Sequence, residues 1–123
     1  LNRNEKFIID ICHSRTGAKN LASYLRSIDK DIYGIWGMLK NKHPELFIKQ
    51  FKGIFKKIIA VKIPGESNSC KPLDLKNIAN QSGINCNLAS SIDSAIKQLS
   101  DKKPKVIACF GSLYLIGKIL SLN

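Results

Sequence analysis

The chain reads as an open, mostly parallel α/β sheet with helices on both faces. Two observations predict this class. Short, continuously apolar runs alternate with helical patterns along the whole sequence, and strands that are apolar throughout belong to parallel sheets covered on both sides. The first and last runs, Phe7-Ile8-Ile9-Asp10-Ile11 and Val106-Ile107-Ala108-Cys109-Phe110, each lead into small or polar residues. In open α/β sheets that carboxyl edge is where ligands bind.

The elements follow in order. A first strand is predicted over residues 6–12. A helix comes next, with Ala18, Leu21, Ala22, Leu25 and Ile28 on one face. The second strand covers 32–38. Pro44 suits the first turn of a helix whose apolar face is Phe47, Ile48, Phe51, Ile54 and Phe55. The third strand covers 57–63, and Pro64-Gly65-Glu66-Ser67-Asn68-Ser69 is a loop on composition. Pro72 opens a helix with Leu75, Ile78 and Ala79 inward and Gly83 at its end. A short fourth strand is expected at 84–88. Ser90 can then cap a helix with Ile92, Ala95, Ile96 and Leu99 inward. Pro104 precedes the fifth strand at 105–110, and a last helix is expected at 113–120. Strand–helix units in this arrangement make a Rossmann-like architecture, with no repeat or linker.

At 123 residues the chain is long enough for one core and is read as a single domain, 1–123. Its 44% hydrophobic content is that of a folded protein. No apolar run is long enough to cross a bilayer, since Leu113 to Leu122 is broken by Gly117 and Lys118. No secretory leader is read. The sequence lacks an initiator Met and opens almost directly on a strand, so a piece of a longer protein is expected. Cys12, Cys70, Cys86 and Cys109 show no C-x-x-C spacing, which points to reduced thiols and a cytoplasmic setting. A zinc site from Cys12, His13 and Cys109 requires the first and last strands to be neighbours, and its spacing is not that of structural zinc modules. No metal site is expected.

The formal charge is +11, but it comes from 17 Lys and only 3 Arg, beside 18 Ile and 10 Asn. Arg supplies most bidentate phosphate and base-edge contacts. The lysines are scattered, mostly where helix backs face solvent. The composition reads as a biased genome's imprint, and no specific nucleic-acid partner is expected.

Candidate chemistry sits at three strand ends. Asp10 closes the first strand, with His13 three residues later. Such a pair can hold a metal, orient a ribose or phosphate, or do acid/base work, or simply be a capping Asp and a turn His. Gly111-Ser112 lets a backbone approach a ligand. Lys42, after Gly37-Met38-Leu39, can reach a phosphate or lie solvated. A Ser112, His13, Asp10 hydrolase triad is disfavoured, because no nucleophile elbow is present. No G-x-x-x-x-G-K-[ST] phosphate loop occurs either. A nucleotide would therefore need a second domain.

Taken in order, Asp10-Ile11-Cys12-His13-Ser14, Gly37-Met38-Leu39 with Lys42, Pro64-Gly65-Glu66 and Gly111-Ser112-Leu113-Tyr114-Leu115 resemble the C-terminal domain of folylpolyglutamate synthase / dihydrofolate synthase, in the Mur ligase superfamily. The resemblance spans nearly the whole chain. In the family's Asp-x-Ala-His-Asn-Pro motif, Asp10 and His13 match, while Cys12, Ser14 and Arg15 depart. In its Gly-Met-Leu-x-Asp-Lys-Asp motif, Gly37, Met38, Leu39 and Lys42 match, while Asn41 and His43 replace acids. The Gly-Ser-Leu-Tyr-Leu match is complete.

The resemblance implies an ATP-dependent amide ligase that adds L-glutamate to dihydropteroate and/or folates through an acyl phosphate. ATP and Mg²⁺ would be held mainly by an N-terminal P-loop domain outside this chain, which is the implied partner. Asp10 and His13 would be catalytic and nucleotide-binding, Lys42 nucleotide-binding, and Ser112 and Tyr114 substrate-binding. A monomer is expected. A peptidoglycan-precursor ligase and a noncatalytic nucleotide- or polyanion-binding module are the competing readings. The Gly-Met-Leu and Gly-Ser-Leu-Tyr-Leu motifs favour the folate branch.

The charge distribution generates a prediction. Binding to DNA or heparin, followed by fluorescence anisotropy, is expected to be weak, sequence-independent and steeply lost between about 50 and 200 mM salt. Sequence-specific binding that survives physiological salt would support the binding-module reading instead.

Overall fold

The computed structural model describes residues 5–9, 15–100 and 105–111. Its elements are β1 (Glu5–Ile9), α1 (Arg15–Arg26), β2 (Ile32–Trp36), α2 (Pro44–Ile48), β3 (Lys57–Ala60), α3 (Pro72–Gln81), β4 (Cys86–Leu88), α4 (Ile92–Leu99) and β5 (Lys105–Phe110). Short 3₁₀ turns at Lys40–Lys42 and Lys49–Phe51 flank α2. The five strands form one sheet in the order β1-β5-β2-β3-β4, and every pairing is parallel. The expected α/β class with an open parallel sheet is what the chain adopts. The helix expected at 113–120 lies outside the described residues.

Strand periodicity divides the core in two. Ile32, Trp36, Ile58, Ala60, Val106, Ala108 and Phe110 face one side, where they pack with apolar residues of α1, α2 and α3. Ile35, Ile59, Ile107 and Cys109 face the other, against Ile92, Ala95 and Leu99 of α4. Chain direction explains this split. From β1 to β4 the chain steps one way across the sheet, then returns past β3 and β2 to insert β5. Parallel crossovers are right-handed, so reversing direction moves the connecting helix to the opposite face.

Aromatic packing anchors the three-helix side. The Phe110 ring lies 4.9 Å from Phe51, 5.2 Å from Phe55, 6.0 Å from Phe47 and 6.4 Å from Trp36, centroid to centroid. Gly34 makes room for it: a Cβ there would lie 2.9 Å from Phe110 Cε1 and 3.0 Å from Phe55 Cε1.

This cluster also corrects the second helix. A continuous helix through Phe55 is the sequence expectation. Instead α2 stops at Ile48, tightens into the 3₁₀ turn, and reverses at Gly53 with φ +82°. The turn at Gly53 brings Phe55 back onto Phe110. Three boundaries also differ. Regular pairing of β3 ends at Ala60, although Val61 and Ile63 remain buried. β2 ends at Trp36 and β4 begins at Cys86. The α4 cap is Ser91, not Ser90: the Ser94 N–H donates to Ser91 Oγ at 3.0 Å. Pro72 opens α3 as expected, and Gly83 (φ +80°) ends it. The Gly83 and Ile84 N–H groups return to the Asn80 and Ala79 carbonyls, which is a Schellman closure.

Lys105 departs from the expected solvated lysines. It is 2% exposed; its Nζ donates to the Leu99 carbonyl at 2.8 Å and lies 5.5 Å from the Tyr33 ring centre.

At the other end of β5, the chain turns at Gly111 with φ +105°. A Cβ at Gly111 would sit 2.3 Å from the Gly37 carbonyl oxygen. Gly111→Ala is therefore expected to cost at least about 2 kcal/mol, from the backbone strain of positive φ plus the overlap. Urea unfolding measures it. Lys42→Ala, on an exposed side chain, should stay within about 0.5 kcal/mol.

Cys70, Cys86 and Cys109 are buried, free thiols. Burial pushes the Cys86 thiol up to about 11 from 9.0 and the Cys109 thiol well above the ordinary range. Both groups stay protonated in the folded state while the unfolded thiols ionise above about pH 9. Their stabilising contribution is thus complete below pH 9 and lost as pH rises towards the folded values. The expected slope is about 1.4 kcal/mol per pH unit per thiol at most. Urea titrations from pH 8 to 11 under reducing conditions should show the decline, and Cys86→Ala should flatten part of it. Identical slopes in the variant and the parent would contradict this assignment.

Candidate functional site

Parallel pairing places the carboxyl ends of β1, β5 and β2 side by side. Ile9 is in register with Cys109, and Cys109 with Ile35. The first and last strands are thus neighbours, as a shared site between them requires. Asp10, His13, Ser112 and Tyr114 lie outside the described residues, and so does Cys12.

The described part of this edge is built around the tail of β2. The Gly37 N–H donates to the Phe110 carbonyl at 3.4 Å, and the Val61 N–H to the Trp36 carbonyl at 2.9 Å. The strands therefore stay joined one residue beyond their regular pairing. The loop after β3 then folds back over the tail. Leu39 and Ser69 form an antiparallel bridge. The Lys40 N–H donates to the Asn68 carbonyl at 2.9 Å, and the Cys70 N–H to the Met38 carbonyl at 2.8 Å.

Ser69 locks the loop from inside. Its hydroxyl accepts from the Ile63 N–H at 2.9 Å and donates to the Cys70 carbonyl at 3.1 Å. This buried hydroxyl is thus paired as both acceptor and donor.

The position at which the resembled motif carries an acid is filled by Asn41. Its Oδ1 accepts from Asn68 Nδ2 at 3.4 Å, so here it tethers the loop after β3. Lys42 ends the 3₁₀ turn and is exposed. Its ammonium is free to meet a phosphate at this edge, but the fold does not aim it. His43 takes a left-handed conformation (φ 52°) and lies 3.8 Å from Glu45 on the surface.

A groove of about 420 Å³ flanks this loop on the α2–α3 side. Its lining includes Lys40, Glu45, Cys70, Asp74 and Asn77. Acids and a lysine share it, so it offers no positive field for a phosphate. Burial and the nearby Asp74 carboxylate raise the Cys70 thiol above its ordinary value, which makes it a poor nucleophile.

Among the described residues no cluster of three His, Cys, Asp or Glu side chains can hold a metal ion. The Cys109 thiol lies in the apolar core under α4. The described residues do not fit a magnesium site. Among the described residues, no helix is long and apolar enough to cross a membrane.

One residue of this edge escaped the sequence reading. Trp36, the only tryptophan of the chain, is wholly buried, and among the described residues its indole Nε1 has no hydrogen-bond partner. Its signal in the sequence was a lone Trp immediately before a glycine at a strand end.

No protein-family profile matches the chain, and no curated protein matches it. Solved structures do. FolC of E. coli in complex with DHPP and ADP superposes with a TM-score of 0.85 at 15% identity, covering 99% of this chain and 29% of that one. Folylpolyglutamate synthase of Mycobacterium tuberculosis complexed with ADP gives a TM-score of 0.85 at 20% identity, covering 94% and 29%. The Thermotoga maritima folylpolyglutamate synthase gives 0.79 at 24% identity, covering 94% and 27%. This chain spans less than a third of each of these proteins. It therefore has the fold of one portion of the folylpolyglutamate synthases, reached through a sequence in which few residues are shared.

Proposed function

We propose that this chain is the C-terminal domain of an ATP-dependent amide ligase that adds L-glutamate to dihydropteroate and/or folates. The observation that carries the reading is a coincidence of two independent signals. Motifs resembling those of folylpolyglutamate synthases occur in order along the chain, and the fold is one those same enzymes contain.

In this reading a P-loop domain belonging to the same enzyme holds ATP and Mg²⁺. A related enzyme was crystallised with Mn, AMPPNP and L-glutamate, which supports a nucleotide and a divalent ion in the reaction. ATP phosphorylates a substrate carboxylate with release of ADP, and the amine of glutamate attacks the acyl phosphate, forming the amide as inorganic phosphate leaves. The described architecture suits a domain that closes over such a centre. Its carboxyl edge is stiffened by backbone hydrogen bonds from Gly37 and Val61, and by the tethered loop ending at Cys70. A stiff edge carries a side chain to a reacting group without reorganisation. Asp10 and His13 are proposed as the catalytic and nucleotide-contacting residues, Lys42 as a further nucleotide contact, and Ser112 and Tyr114 as substrate contacts.

In the complete ligase, Asp10→Ala or His13→Ala is expected to lower turnover by at least about 10²-fold. That corresponds to about 2.7 kcal/mol of transition-state stabilisation. Melting temperature should change little. The isolated 123-residue chain is expected to show no glutamate-dependent ATP hydrolysis, because no phosphate loop lies in it. Steady-state kinetics with ATP, glutamate and folate or dihydropteroate test both points. Near-parental turnover in both variants would return Asp10 and His13 to a capping role, and ligase activity of the isolated chain would overturn the division of labour.

A further inference from the structure

Among the described residues β4 is a lateral edge of the sheet, paired on one side by β3. Register fixes which of its backbone groups face outward. The Ile58 N–H donates to the Asn85 carbonyl at 2.9 Å, and the Ala89 N–H to the Ala60 carbonyl at 3.1 Å. Ile59 lies opposite Asn87. Asn85, Asn87 and Ala89 therefore turn their backbone groups toward β3. Direction alternates along a strand, so the groups of Cys86 and Leu88 turn away from the sheet. Two exposed side chains close on them. Asn80, in the last turn of α3, accepts from the Cys86 N–H through Oδ1 at 3.2 Å. Gln98, in the last turn of α4, donates from Nε2 to the Leu88 carbonyl at 3.4 Å.

The two helices lie on opposite faces of the sheet, so the edge is held from both sides. An incoming strand needs these same backbone groups, one as donor and one as acceptor. The sequence shows why the edge needs closing. From Asn77 to Ile92 no residue is charged and none is proline, the longest such run in a chain with 20 Lys and Arg. Charge and proline are common means of blunting a sheet edge, and β4 has neither. Leu88 is 41% exposed on it. An uncharged edge strand with an exposed leucine is a template for an identical strand.

We infer that Asn80 and Gln98 guard the β4 edge, occupying the backbone groups through which a second copy of this chain would add its own β4. Two identical strands pair antiparallel about a twofold axis, which makes the contact self-complementary. With both guards in place, an incoming strand must first displace an amide side chain at each of two positions. Without them, the outward groups of Cys86 and Leu88 are open to it. The inference is independent of the ligase reading, since it concerns the lateral edge of the sheet and no residue proposed for the chemistry.

The test follows hydrogen exchange of the Leu88 amide in the full chain. That N–H faces outward, so a strand added at this edge protects it. In the parent, the rate is expected to be the same at low and high protein concentration. In the Asn80→Ala/Gln98→Ala double variant, exchange is expected to slow at least about tenfold between about 20 and 500 µM, as dimers form. Sedimentation velocity follows the dimer in the same samples. Gln98→Ala alone places the best helix former on an exposed helix position, so it keeps the fold, and it is expected to show a smaller slowing in the same direction. Concentration-independent exchange in the folded double variant overturns the inference. Where the double variant does not fold, concentration-independent exchange in Gln98→Ala does so. Concentration-dependent slowing in the parent also overturns it, because the edge would then be open with both guards present.

Discussion

The insertion of β5 between β1 and β2 is the constraint on which the rest of the molecule depends. Every residue from Lys105 to Phe110 is buried, and the strand pairs on both sides. A parallel strand cannot be reached by a tight turn, so its crossover must pass over a face of the sheet. That crossover carries α4 onto the face left bare by α1, α2 and α3. One strand thus closes the sheet and divides the core. It also lines up the ends of β1, β2 and β5, and so creates the edge at which ligand chemistry is proposed.

Both ends of β5 are specialised by what they must pack against. At its start, Lys105 is kept in the interior by the Leu99 carbonyl at 2.8 Å and the face of Tyr33. A buried ammonium needs such partners, because its desolvation is otherwise uncompensated. At its end, Phe110 organises the rings of Trp36, Phe47, Phe51 and Phe55. Offset and tilted aromatic contacts of this kind add about 0.5–1.5 kcal/mol each beyond the area they bury. The cluster needs Gly34 beneath it and the reversal at Gly53 beside it. Small residues here are dictated by large ones elsewhere.

The same packing stiffens the edge. Trp36, Gly37 and Met38 are bonded on both sides, to Phe110 and Val61 across the sheet and to Cys70 from the returning loop. Asn41, standing where the resembled motif has an acid, contributes to that tether through Asn68. The proposed ligase reading places its charged chemistry on Asp10, His13 and Lys42. The solved folylpolyglutamate synthases share this frame at 15–24% identity.

The sequence by itself determined the class of the fold, the order of its strands and helices, and the places where chemistry should be sought. Alternating buried strands and helices with a 3.6-residue apolar period are local signals, set by neighbours a few residues apart. Pro72 and Gly83 marked the ends of α3 for the same reason. The motif order carried the functional reading for the same chain. What the tertiary structure alone decided lies in contacts between distant segments. The break of α2 follows from the pull of Phe110, fifty-five residues from Phe55. The burial of Lys105 follows from Tyr33 and Leu99. The strand order, with β5 between β1 and β2, follows from which hydrophobic faces fit together. The unpaired indole of Trp36 is the extreme case. In the sequence it is one more apolar residue in a strand, and only its packing against Phe47 and Phe110 buries its Nε1 with no partner among the described residues.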